Sequence, residues 1–586
     1  MPQLRDSTHS LEEPTSNELV GSRDITGIND GASDVNASTV DDTDSANDDN
    51  ELSNRAHGLP FERIFGIETE YGVSVTGQRP DSDMLDASHV ASVIFEPIVS
   101  QSRSTNTYIE NGSRLYLDVG AHPEYATAEA RTVTDAVRLD AAGENLMAAL
   151  AHQAERALRE RTGNEKLRVH MYKNNTDSQG NSFGCHENYL VRRHVRLNDL
   201  EQSFIPFLVT RQIFAGTGVI RAGQFQISQR ADFLEDTISS ATTRARPMIN
   251  TRDEPHADSR MYRRLHVIVG DSNRSQKASW MKMMCAHLVL CMIEAQARGE
   301  DYRLTRFAMQ KPGECARSIS RDTSLSAQMT LISGMQVTAI DIQQGYCDAA
   351  GRFIARHYND LAQDMRNDMI ACVELWHQTL ESLRQGNFSE LSSWVDWVAK
   401  YQLIQSIKKR SENTQKLNAN DATQGTSEGD GETSSTSSAN NSQVNKSQTD
   451  ESQTIKSQTG KSAVDARISQ IDFAYHDIAH DDVIGALQKN GKITPIFTLT
   501  EIRAARHNPP SDTRAWLRGN FIQQARKNSV QWSADWTSIT MLGNRERQAM
   551  TVHLIDPFEH SPNEEYDEFM GEILTSRKDD PMLPLI

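Results

Sequence analysis

The chain has 586 residues, more than one hydrophobic core usually serves, so a large folded block and at least one smaller one are expected. Its net charge of −19 argues against a nucleic-acid-binding protein. Met1 is not followed by a basic region and an apolar run, and no stretch of 18 apolar residues occurs, so no signal peptide, no membrane span and a cytoplasmic location are expected.

Residues 1–54 hold 13 Asp or Glu, two Arg and no aromatic residue. Such a segment buries too little apolar surface to offset its ordering entropy, and 1–58 is expected to be a disordered acidic extension. The stretch IFGIETEYGV (64–73) reads as a strand in which Glu68 and Glu70, two apart, stand side by side on one face. From Arg114 to Val119 alternation is strict: Arg114, Tyr116 and Asp118 share one face, and Leu115, Leu117 and Val119 share the other, which packs on helices. The polar face is either solvated or lines a cleft, and HPEYAT adds His122, Glu124 and Thr127 beside it.

Leu139, Ala142, Leu146, Leu150, Ala154 and Leu158 recur at helical spacing and give an amphipathic helix. KLRVHMYKNN (166–175) and RLHVIVGD (264–271) read as strands. Between residues 171 and 190 a strand enters a loop rich in Asn, Asp and Gly and returns through His186, Glu187 and Asn188, where a His–Glu pair also fits a purely structural hydrogen bond. Residues 239–271 add Arg244, Arg246, Arg252, Arg263, Arg264 and His266, arginines suited to phosphate or carboxylate or to structural ion pairs. Residues 280–296 are apolar nearly all round, a helix buried on most sides. Six cysteines without CxxC spacing are expected to be buried free thiols. Residues 411–463, with Ser-Gln-Thr recurring at 447, 452 and 457, read as a disordered low-complexity insertion. The block 464–586 follows, with Trp516, Trp532 and Trp536 available for a core. The class is α+β, a substantial sheet backed by helices.

Glu68, Glu70 and Glu124 repel one another unless cations join them, and hard oxygen ligands suit Mg²⁺, which usually arrives with nucleotide phosphates; a surface cluster of acids each paired with an arginine is the alternative. No GxxxxGK[ST] and no kinase signature is present, so ATP is not held by either device.

The blocks GIETEYG, NGSRLYLDVGAHPEYATAE, YKNNTDSQGNSFGCHENYL, PFLVTRQ, INTRDEPHAD and RRLHVIVGDSN resemble the glutamine-synthetase-related carboxylate-amine ligases that act on Pup, the prokaryotic ubiquitin-like protein, over about residues 61–558. The extension and the insertion have no counterpart in that pattern. The resemblance implies a large glutamine-synthetase-like domain at 59–410 with a curved, mostly antiparallel sheet, and a small C-terminal domain at 464–586. It implies that ATP phosphorylates the γ-carboxylate of the C-terminal glutamate of Pup and that a lysine ε-amine of a target protein displaces the phosphate, forming an isopeptide bond that marks the target for proteasomal degradation. Asp118 then falls at the general base. Glu68, Tyr116 and Glu124 fall at Mg²⁺, Tyr116 acting through a water, with Glu70, His186 and His266 around the metals. Arg114, Thr127 and Trp536 fall where ATP is contacted.

Three rivals remain. The related Pup deamidase and depupylase carries a long insertion after the first strand and reads closer to Asp-His-Ala-His, whereas here 35 residues separate Gly72 from Tyr108 and the chain reads DVGAH. A ligase of the glutamate–cysteine type should lack KNNTDSQGNSFGCHENYL. An inactive Pup-binding scaffold has no need to keep repelling carboxylates together.

Overall fold

The computed structural model describes residues 60–80, 84–118, 120–239, 246–250, 254–424, 464–480, 483–543 and 548–575, with backbone only for 415–424. The expected extension 1–58 and residues 425–463 of the expected insertion lie outside them.

Fourteen described strands belong to the first block: β1 Phe65–Glu70, β2 Gly72–Thr76, β3 Asn106–Tyr108, β4 Arg114–Leu117, β5 Pro123–Ala126, β6 Arg168–Tyr172, β7 Cys185–Arg192, β8 Val219–Arg221, β9 Gln224–Gln226, β10 Asp236–Ser239, β11 Pro247–Asn250, β12 Tyr262–Val267 and the short pair β13 Met329–Thr330 and β14 Gln336–Val337. Eight of them form one sheet in the order β10-β11-β12-β7-β1-β5-β4-β3, antiparallel at every pairing except β10 with β11. β2 pairs with β6, and β8 with β9.

Alternation sorts the two faces of this sheet. In β1, Phe65, Ile67 and Thr69 are buried while Gly66, Glu68 and Glu70 are partly open, the period-2 pattern of a strand with one face on the core. The buried face rests on the helix Val133–Thr162, which Thr132 caps by accepting from the Asp135 N–H and which ends at Gly163 in left-handed conformation. All six residues of the expected apolar stripe are buried there, each leucine contributing about 1.5–3 kcal/mol of transfer free energy. Leu115 packs on the same side with Val90, Ile94 and Leu146. Gln276–Ala297 is the one described helix long and apolar enough to cross a membrane, and 94% of its most apolar stretch is buried inside the protein. All six cysteines are buried and free.

The helix Asp396–Gln424 continues through the first part of the segment expected to be disordered. No glycine or proline occurs from Asp396 until Gly425, so nothing in the local sequence stops it. The chain re-enters at 464 and threads into the first block: Lys400 Nζ donates to Asp472 at 2.7 Å, the Lys173 N–H to the His476 carbonyl at 2.9 Å, and the Ile478 N–H to the Met171 carbonyl at 2.8 Å. Ala56–Ile586 accordingly form one compact unit.

Within that unit the later residues have a core of their own. Strands Trp532–Ala534, Ser538–Met541 and Met550–His553 pack with helices Arg514–Lys527 and Glu564–Thr575 around Phe521, Ile522, Ile539 and Phe569. Trp532 and Trp536 pack against this core, but Trp516 does not serve it: flanked by buried Ala515 and Leu517, it falls on the outer side of its helix and is 39% exposed. Tyr108 of β3 belongs to the same core, and Glu129, just after β5, accepts hydrogen bonds from Arg514 Nε at 2.8 Å and from Arg518.

Candidate active site

The open face of the sheet gathers residues from β1, β5, β7, β12 and β4. Register places Glu68 opposite Ala126 and His186, Glu70 opposite Glu124, Tyr116 opposite Glu124, and His266 opposite Asn188. Strand alternation therefore brings six expected residues, Glu68, Glu70, Tyr116, Glu124, His186 and His266, onto one floor. Glu187, between His186 and Asn188, faces the other way and is held by Arg211 at 2.9 and 2.5 Å, so the His–Glu pair of the sequence is split between the two faces.

Glu68 is the hub. It accepts from His186 Nδ1 at 3.1 Å and Asn188 Nδ2 at 3.2 Å, with Arg264 and His266 Nε2 each 3.7 Å away. Burial opposes its ionisation, yet the imidazoles of His266 and His186, with Arg264, outweigh that and hold its carboxyl far below the usual range. Glu124 shows the opposite balance: burial first, then the charges of Glu68 and Glu70, push it well above the carboxylate range, although Tyr116 donates to it. Burial, with the carboxylates of Glu68 and Glu124, raises the Tyr116 phenol as well, so it stays a protonated donor. His266 is lowered to about 3 by burial, and its Nε2 is buried without a hydrogen bond among the described residues.

Two overlapping sets, Glu68–His186–His266 and Glu70–Glu124–His186, have ligand atoms within 4.8 Å of one another. This donor set fits hard divalent cations through its carboxylates, and it offers the charge that would relieve the Glu68–Glu70–Glu124 repulsion and a ligand for the His266 nitrogen. Gly184 makes room for it: a Cβ there would lie 2.1 Å from His186 Nε2 and 2.8 Å from Glu70 Oε1.

Beside the carboxylates opens a recess whose wall includes Gly66, Glu68, Thr127, Asn188, Arg264 and Trp536. Trp536 stands edge-on to Tyr108 at 5.1 Å, with Arg518 over its ring and His256 at 6.3 Å. Thr127 Oγ1 accepts from the Ile67 N–H at 3.0 Å, which leaves its hydroxyl proton for a ligand. Arg114 lies a strand away from that wall, its guanidinium 4.4 Å over the Tyr116 ring and its Nε on Asn106 at 2.8 Å. Asp118 sits exposed just past the end of β4, its charge among those that raise Glu124.

From sequence, Asn188 is named without a role and His256 is not singled out. Asn188 follows His186 by two positions, a spacing that places it on the same floor. His256 has no periodic signal at all; burial, with Arg264 and Arg514 nearby, lowers it to about 4.

Residues 63–423 and 451–540 match the family model described as Pup-ligase protein. The chain belongs to the Pup–protein ligase family. Among curated members it is similar to Pup–protein ligases of Bifidobacterium longum subsp. infantis, at 43% identity, and of Bifidobacterium dentium, at 44%, each over 514 residues that cover 87% of this chain and 94% of the relative. Among solved structures it is similar to the ligase PafA in complex with Pup, with TM-score 0.72 and 33% identity over 89% of this chain and 94% of that one. A second match is PafA in complex with ADP, with TM-score 0.66 and 33% identity over 86% and 98% of the two chains. Similarity to these ligases therefore extends over most of the chain, in sequence and in fold.

Proposed function

We propose that this site carries out ATP-dependent ligation of Pup to lysine side chains of target proteins, with Mg²⁺ as its metal. One observation carries the reading: two interlocked carboxylate–imidazole sets adjoin a recess walled by Thr127 and Trp536, and an exposed aspartate stands at the end of the same strand face.

In the first half-reaction the γ-phosphoryl group of ATP passes to the γ-carboxylate of the C-terminal glutamate of Pup, leaving ADP and an acyl phosphate. In the second, a lysine ε-amine attacks the acyl carbon, phosphate leaves, and the amine proton goes to Asp118. Bound Mg²⁺ supplies charge neutralisation and alignment of the phosphates, the main demands of phosphoryl transfer. Glu68, Glu70, Glu124, His186 and His266 are the residues that would hold it. Asn188 and His186 fix the Glu68 carboxylate, and the protonated Tyr116 fixes Glu124. The Trp536 ring and the Thr127 hydroxyl bound the space for the nucleotide, and Arg114 faces the same cleft from β4. The exposure of Asp118 suits an acceptor lysine presented on the surface of another protein, and a general base there is worth about 10²–10⁴-fold.

In this reading 59–410 is the catalytic block and 464–586 lends Trp536 and Arg514 to it. A cytoplasmic location accords with six buried cysteines, all free.

ADP titrations with and without Mg²⁺ test the assignment. Trp536→Ala should weaken ADP under both conditions, whereas Glu124→Gln should remove the difference that Mg²⁺ makes. A Glu124→Gln protein that kept the full metal dependence would contradict the placement.

A further inference from the structure

The turn that joins β4 to β5 carries Asp118 and has little of its own to hold it. The Asp118 N–H donates to the His122 carbonyl at 3.0 Å, and the Ala121 N–H to the Asp118 carbonyl at 3.1 Å. Gly120 at φ +91° and Ala121 at φ +62° are both left-handed, a conformation that costs alanine about 1–2 kcal/mol. Among the described residues the Asp118 carboxylate makes no hydrogen bond or ion pair, so its place depends on its backbone. That backbone needs an anchor to the rest of the protein.

His122 is that anchor. Its ring stacks on Phe183 with centroids 4.6 Å apart and planes 30° apart, and its Nδ1 lies 3.2 Å from the Tyr71 carbonyl, to which it donates. The turn folds over this ring so closely that a Cβ on Gly120 would lie 3.3 Å from His122 Cδ2. Phe183 is itself fixed: it is buried, and its carbonyl accepts from Arg230 Nη1 at 2.9 Å and Asn175 Nδ2 at 3.2 Å. The next residue, Gly184, is the one pressed against His186 and Glu70. One stacked pair therefore ties the Asp118 turn to the wall that holds the metal-binding side chains. We propose that His122 is a positioning residue for Asp118, setting the distance between the carboxylate and the acyl phosphate without touching either substrate.

This inference rests on Asp118 being the base that deprotonates lysine, and the experiment separates the two claims. Lysine is protonated at neutral pH and needs a base, whereas hydroxylamine is already uncharged and attacks an acyl phosphate unaided, giving a hydroxamate and phosphate. With ATP, Mg²⁺ and Pup ending in glutamate, conjugation to a lysine-bearing protein and hydroxamate formation are measured side by side for wild type, Asp118→Asn, His122→Ala and His122→Phe. The expected result is that Asp118→Asn and His122→Ala each lose lysine conjugation, His122→Ala by about 10–100-fold, the scale of a misplaced catalytic group. His122→Ala should keep hydroxamate formation within about twofold, a change of under 1 kcal/mol. His122→Phe, which keeps the stacked ring, should recover most of the conjugation. If His122→Ala lost both reactions together while His122→Phe lost neither or both, or if His122→Ala lost nothing, the positioning role would be overturned with the base intact. If Asp118→Asn kept lysine conjugation, the base assignment would fall and the positioning role with it.

Discussion

Glu68 and Glu187 occupy neighbouring strands of one sheet and face opposite ways, and their surroundings differ in kind. Behind the sheet Glu187 has Arg211 at 2.9 and 2.5 Å, the Tyr189 hydroxyl at 2.6 Å and Lys282 at 3.9 Å. Asp140 on that side takes Lys173 at 2.6 Å and Thr69 at 2.9 Å. In front, three carboxylates share two imidazoles and one guanidinium, and Glu124 is held up in pKa by burial and then by its like-charged neighbours. Charge that serves the fold is matched by protein cations, because an unmatched buried charge costs several kcal/mol. Charge that serves a ligand is left short of cations, and the deficit marks where the ligand goes.

Four changes sharpen or break this contrast. Glu68→Gln should lower ligation by about 10³-fold, since a preorganised electrostatic site loses its hub, while thermal unfolding stays close to wild type; a large drop in Tm would put Glu68 with the structural charges. Behind the sheet, Arg211→Met should destabilise the protein by about 3–5 kcal/mol in chemical denaturation by leaving Glu187 buried and unmatched. A near-neutral outcome would mean that the back-face pair is dispensable.

The third change concerns acid. Burial alone would raise Glu129, but Arg518 and Arg514 bring it down from 4.5 to about 2. A carboxyl depressed in the fold binds its proton later than in the unfolded chain, so its stabilisation is present above pH 4.5 and is lost as pH falls towards 2. At about 1.4 kcal/mol per pH unit this amounts to about 3 kcal/mol, and Glu129→Gln should flatten the acid limb of the stability–pH curve. Smallest of the four, Glu124→Gln should raise the stability of the metal-free protein by about 1 kcal/mol while abolishing ligation, because removing one of three crowded carboxylates relieves a strain kept for function. A loss of stability there would contradict the deficit.

Much of the front face was legible because a strand repeats every two residues. Alternation alone put Glu68 with Glu70 and Arg114 with Tyr116, and the quoted blocks carried the family resemblance. What alternation cannot give is which strands are neighbours: β7 and β12 come from 120 to 200 residues downstream of β1, and only their pairing brings His186 and His266 to Glu68. The opposite fates of His186 and Glu187 follow from alternation too, but choosing which of the pair faces the cleft needs the register. The helix beyond residue 410 was missed because composition outweighed the absence of glycine and proline, and the outward turn of Trp516 because a tryptophan count says nothing of helix phase.

The most direct measurement is the mass of a lysine-bearing acceptor after incubation with the full chain, ATP, Mg²⁺ and Pup ending in glutamate, with Asp118→Asn alongside. The account predicts an acceptor heavier by one Pup, with that gain lost in the Asp118→Asn reaction. An unmodified acceptor, together with conversion of glutamine-ending Pup to its glutamate form, would contradict it and assign the site to hydrolysis.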